Sequence, residues 1–167
     1  MEEKGKTQWY IGAPNGVVLC IRGLQGRELQ GEGYHSYSAE SFSFENTEQM
    51  IQHMEKLYDM LQFPHPSTNS RSFIEEPPHY AQRQERKKIM SDENLLSKHG
   101  DIGTFIVRVQ HRQNSSWQGR ITWMEEDKTI NFRSVWELVH LMESAIDSVC
   151  PPSEEEGDDP TWFPEKD

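Results

Sequence analysis

The sequence has no long apolar stretch. Its hydrophobic share is 34% and its mean hydropathy −0.87, and no run approaches the roughly 18 residues that a membrane-spanning helix needs. Met1-Glu2-Glu3-Lys4-Gly5-Lys6 leads into no apolar segment, so no signal peptide is expected and the cytosol is the expected compartment. Cysteine is scarce. Cys20 and Cys150 are the only two, which excludes a disulfide framework and predicts free thiols in a reducing compartment. Histidines 35, 53, 65, 79, 99, 111 and 140 form no HExxH-type spacing with a partner, and there is no CxxC. No metal or other cofactor is therefore expected. The sequence also lacks a GxSxG elbow, a P-loop and a GxGxxG fingerprint. Cys20 sits among apolar neighbours, where a thiol packs as a small hydrophobe. These absences predict no enzymatic activity.

Positive charge is also in short supply. Seventeen Lys and Arg face 28 Asp and Glu, for a net charge of −11, which disfavours a simple phosphate-binding protein. The acids are concentrated at the carboxy-terminal end. Glu154, Glu155, Glu156, Asp158, Asp159, Glu165 and Asp167 stand there against Lys166 alone. Residues 151–167 are expected to be a disordered acidic tail, but one in which Trp162 and Phe163 lie among the acids. A purely solubilising tail has no use for large aromatics, whereas a segment that docks on a partner does. The partner expected for this tail is a protein, basic in character.

What is abundant is internal likeness. A shift of 88 positions lays residues 17–59 on 105–147 without a gap. Gln30-Gly31 falls on Gln118-Gly119, Phe44 on Phe132, Met54-Glu55 on Met142-Glu143, and Asp59 on Asp147. Val17-Val18-Leu19 meets Phe105-Ile106-Val107. In the second unit residues 105–110 alternate with period two, and Trp117, Gly119, Ile121 and Trp123 form one face of a second strand. A charged turn at 125–128 leads to a third strand at 129–132. Ser134 followed by Glu137 is a capping box. Leu138, Met142, Ala145 and Ile146 then recur at helical spacing. In the first unit strands are read at 17–22, 29–37 and 41–44, Asn46 and Gln49 take the cap positions, and the apolar stripe runs from Met50 to Leu61.

This pattern predicts an α+β fold: a pseudo-twofold duplication of a β-β-β-α unit, mainly antiparallel, with two packed helices. One domain is expected over 1–150, with repeat one at 17–61, a connector at 62–103 and repeat two at 104–149. Pro64, Pro66, Pro77 and Pro78 make the connector turn-rich, with a polar helix expected within 80–98.

If the apolar strand positions face the helix, alternation puts Arg108, Arg112, Arg120 and Arg133 on the opposite face, together with Gln110, Gln118 and Thr122. This arginine face is the alternative site, for single-stranded nucleic acid or an acidic ligand. In that case the acidic tail would be autoinhibitory.

The run from Arg112 to Gly119, together with Phe132-Arg133-Ser134 and Glu137-Leu138, and the stretch from Asp59 through Phe63-Pro64 to Ser70-Arg71-Ser72-Phe73, carry a family likeness. They resemble a group of short, uncharacterised bacterial proteins found among mobile-element genes. The resemblance covers most of the chain except its acidic end. That group has no established activity, fold or site. The likeness therefore implies only a regulatory or counter-defence binding protein, such as an anti-CRISPR inhibitor. The repeated unit is also similar to the paired repeats of PUR-type and positive-coactivator-type single-strand binders. Those usually carry four strands, and residues 8–11 are the only candidate for a further one here. The leading expectation is a non-enzymatic cytosolic protein acting through protein–protein contacts, an acidic inhibitor or regulator of a nucleic-acid-handling complex.

Overall fold

In the computed structural model, residues 11, 13–67, 71–74 and 87–151 are described. They form an α+β fold of six strands and three helices: β1 (Val17–Gln25), β2 (Glu28–Tyr34), β3 (Phe42–Phe44), α1 (Thr47–Leu61), α2 (Asp92–Leu96), β4 (Gly103–His111), β5 (Gln118–Trp123), β6 (Lys128–Phe132) and α3 (Val135–Val149). The strands make one antiparallel sheet in the order β3-β2-β1-β4-β5-β6. Among the described residues no helix is long and apolar enough to cross a membrane.

The registers of the two halves correspond at the same shift of 88. Leu19↔Gly33 corresponds to Val107↔Ile121, and Gly31↔Phe44 to Gly119↔Phe132. The bulge between Ile21 and Gly23 corresponds to the one between Val109 and His111. The limits of α1 fall on those of α3. In the central pairing Val18 meets Ile106, and Val17↔Val107 and Leu19↔Phe105 exchange places under the shift.

Both long helices start where the sequence places their caps. Asn46 Oδ1 accepts from Gln49 N–H at 2.8 Å and Ser134 Oγ from Glu137 N–H at 3.0 Å. The return bonds differ slightly from the expected box. Gln49 and Glu137 reach the N–H of Glu45 and Arg133, one residue before each cap. The apolar stripes of both helices bury against one sheet face, with Met54 and Met142 fully buried in the same core as Leu19, Phe105 and Phe132. Burial of this contiguous apolar layer is the main stabilising term of the fold.

The second sheet face is partly covered as well. Leu95 of α2 is fully buried against Val18, Cys20, Ile106 and Ile11. The connector therefore supplies a small lid, and it owes that position to Leu95, whose apolar side chain no periodicity announces. Of the helix expected within 80–98, only Asp92–Leu96 is formed among the described residues. Residues 8–10 and the end from 152 onward lie outside the described residues.

Candidate interaction surfaces

The structure separates the four arginines that alternation placed together. The bulge at Val109 and His111 puts His111, rather than Gln110, opposite Gln118. The extra residue resets the pleat, and Arg112 then points to the helix side. It is 4% exposed. Its Nε donates to Pro64 O at 2.6 Å, and its Nη1 donates to Asp59 Oδ1 at 2.7 Å and Glu55 Oε1 at 3.1 Å. Its guanidinium lies 5.9 Å from the Tyr58 ring centroid. Arg133 forms an ion pair with Glu137 at 2.9 Å in the first turn of α3, and its hydrogen bond holds the Glu137 carboxyl below the usual range. Arg108 remains on the face opposite the helices but is half-buried. It donates to Ile11 O at 2.5 Å and to Thr122 Oγ1 at 3.0 Å. Arg120 pairs across the ladder with Arg108 and is exposed. The expected four-arginine surface is thus reduced to the Arg108–Arg120 pair.

Most of the residues in 112–119 and 132–138 have architectural duties. Trp117 Nε1 donates to Glu55 Oε2 at 2.6 Å and packs edge-on to Tyr58 at 5.3 Å. Gln118 Nε2 ties together the carbonyls of Gln113 and Arg133. A Cβ on Gly119 would sit 2.0 Å from the Arg108 carbonyl oxygen. Phe132 and Leu138 are core residues, and Ser134 is a cap. With Arg112 they fasten the β4–β5 hairpin to α1 and to the turn at Pro64. Burial pushes the Tyr58 hydroxyl well up, with the Glu55 carboxylate adding to the shift. The group is a poor acid in a packed wall.

Cys20 is buried, and burial together with Glu32 pushes its thiol up to about 12. At neutral pH it is a protonated thiol and a weak nucleophile. Cys150 is exposed. Among the described residues no group of three or more His, Cys, Asp or Glu is placed to hold a metal ion. The tail residues Glu154, Glu155, Glu156, Asp158, Asp159, Trp162 and Phe163 lie outside the described residues.

One surface was not foreseen. β6 is an outer edge of the sheet, and Ile130, an apolar position of this strand, is 50% exposed. Between β6 and α3 runs an apolar cleft of about 230 Å³, its floor made by Phe105, Ile121 and Trp123 and its walls by Ile130, Leu141 and Ala145. Among the described residues Lys128 is the one charged residue lining it. The signal was present but ambiguous. An apolar residue at alternating spacing reads as core, and only the position of α3 decides whether it is covered. No protein-family model, curated protein or solved structure matches this chain.

Proposed function

We propose that this chain is a non-enzymatic binding protein that acts through protein–protein contacts in the cytoplasm. In this reading it is an acidic inhibitor or regulator of a nucleic-acid-handling complex, of the anti-CRISPR-like kind, and its partner is basic. Charge carries the reading. The chain holds a net −11, and Arg112 and Arg133, two of the four arginines of the alternative site, are already bound to carboxylates. Such a surface attracts basic grooves and is repelled by phosphate. The acidic tail with Trp162 and Phe163 is the segment we assign to the contact.

We also infer that the two β-β-β-α halves are copies of one unit related by a pseudo-twofold axis near Val18 and Ile106. The shared registers, bulge position and cap bonds support this, since each would have to match independently in unrelated halves.

The test is a pull-down from the native host with the full chain and with a chain ending at Pro151. The full chain is expected to retain a basic protein at about 50 mM salt and to release it at several hundred mM, as screening shortens the range of the attraction. The shortened chain is expected to retain less. If neither form holds a protein partner, the proposal fails.

One observation favours the alternative, a single-stranded nucleic-acid binder with an autoinhibitory tail. Arg108 and Arg120 are directly opposed on neighbouring strands, a like-charge arrangement that a bound anion would relieve. Fluorescence anisotropy with a single-stranded oligonucleotide at about 50 mM salt tests it. Tail removal would strengthen binding and Arg120→Glu would abolish it. Absence of binding by the shortened chain eliminates this reading.

A further inference from the structure

The cleft beside β6 differs sharply from its counterpart in the first half. The shift of 88 carries Ile130 onto Phe42, Ile121 onto Gly33 and Leu141 onto His53. There the space is filled. The Phe42 ring lies over Gly33, where a Cβ would meet it at 2.0 Å, and it stacks on His53 at 5.0 Å between centroids. In the second half the floor is larger, but among the described residues no aromatic ring closes it. Ile130 stands half out of the protein, and among the described residues β6 pairs with β5 on one side only. An edge strand running beside a helix with an apolar trough between them is the geometry that accepts an added strand. Main-chain bonds fix the incoming segment, and alternate side chains enter the trough.

We propose that this groove is a strand-docking site, and that its occupant is this chain's own segment 158–164, with Trp162 or Phe163 in the apolar trough. Three observations single out that occupant. The trough is lined by aliphatic and aromatic side chains, and this segment offers two adjacent large aromatics. Among the described residues the one charged lining residue is a cation, Lys128, and the segment and its approach are acidic, with Glu154, Glu155, Glu156, Asp158 and Asp159. The chain also leaves α3 at the groove itself. Ser148, on the groove wall, is followed within three residues by Pro151. The 11 residue steps from Pro151 to Trp162 reach at most about 36–40 Å, ample to double back along β6. Tethering makes the local concentration of the segment roughly millimolar, so even a weak contact is populated. The proposal does not depend on the basic-partner reading, because the pull-down can fail while the groove remains occupied; where both hold, the partner competes with the groove for the same segment and must displace it.

The experiment uses full-length chains. Chymotrypsin cleaves between Trp162 and Phe163, and the rate reports how often that bond is free of the groove. Ile130→Glu is expected to raise this rate about tenfold or more, and Lys128→Glu to raise it less. In the reciprocal direction, Trp162→Ala with Phe163→Ala should shift the methyl signals of Ile130 and Ala145 and leave those of Val18 and Ile106 in place. The same double variant should speed hydrogen exchange at the open edge of β6. If Ile130→Glu proves unfolded by its methyl spectrum, Lys128→Glu and the double variant still decide the matter. Equal cleavage rates in wild type and Lys128→Glu, together with unmoved Ile130 and Ala145 methyls in the double variant, would overturn the proposal. Methyl shifts that vanish on dilution would also overturn it, by assigning the groove to a second copy.

Discussion

At the scale of single residues, the chemistry-bearing side chains are mostly committed to holding the fold. Arg112 is the clearest case. Its counterpart in the first half is Leu24, so a guanidinium replaces an aliphatic side chain at one corner of the sheet. Breaking a fully buried ion pair costs about 3–5 kcal/mol. Here the carboxylate side chains of Glu55 and Asp59 are 45% and 64% exposed and would be rehydrated. Arg112→Leu is therefore expected to cost only about 1–3 kcal/mol, between the surface and buried limits. Urea denaturation measures it, and a loss below about 0.5 kcal/mol would show that the network is ornamental to stability. Gly119→Ala should cost a similar amount, because its Cβ would strike the Arg108 carbonyl and only backbone movement relieves it. His35 supplies a pH effect. Burial holds its imidazole below the ordinary 6.5, and its Nδ1 accepts from Tyr37 N–H. The unfolded chain thus binds a proton more readily. The stability due to neutral His35 is complete above pH 6.5 and is lost as pH falls below 6.5 through the folded value. Melting temperatures measured across this range should decline less steeply in His35→Gln than in the wild type.

At the scale of elements, caps and stripes were legible because they depend on neighbours a few residues away. Ser134 with Glu137 and Asn46 with Gln49 declared both helix starts, and Met54 and Met142 declared the buried faces. Ser134→Ala should cost about 1 kcal/mol, the usual worth of a helix cap. Asn46→Ala should cost a similar amount, and a difference of more than about twofold would mean that the two helix starts are not equivalent in energy. The four-arginine surface that alternation predicts does not form for a reason that also lies at this scale. Alternation is a reliable guide only while the ladder is regular, and the bulge at Val109 and His111 inserts one residue. Arg112 therefore crossed from the outer face to the core side. Nothing in the run Val109-Gln110-His111-Arg112 announces a bulge, and the glycine that marks the first-half equivalent, Gly23, has no second-half counterpart. The β6 groove is not legible in the sequence for a different reason. Whether Ile130 is covered depends on where α3 lies, and that is fixed by packing far along the chain.

At the scale of the whole molecule, the pairing of β1 with β4 makes two marginal three-stranded units into one sheet with a shared core. A three-stranded unit with one helix buries little apolar area, and separation would leave β1 and β4 as bare edges. The halves are accordingly expected to unfold together. Their probes are distinct. Among the described residues every tryptophan, namely Trp117, Trp123 and Trp136, lies in the second half, while Cys20 lies in the first and is buried. In a Trp9→Phe, Trp162→Phe, Cys150→Ser background, which leaves only the second-half tryptophans, tryptophan fluorescence and Cys20 reactivity toward a thiol reagent should follow one transition with a common urea midpoint, as a two-state domain requires. Cys20 strengthens the test because its thiol is protonated at neutral pH and shielded, so it reacts only when β1 opens. Leu19→Asp places a charge in the β1–β4 seam, opposite Phe105 and inside the apolar core. It should separate the two midpoints or abolish folding, since an unpaired buried carboxylate is among the costliest single changes. Midpoints that already differ in the wild type would mean that each half is stable on its own. The seam would then join two finished domains, and the internal likeness would mark tandem copies that had each become self-sufficient.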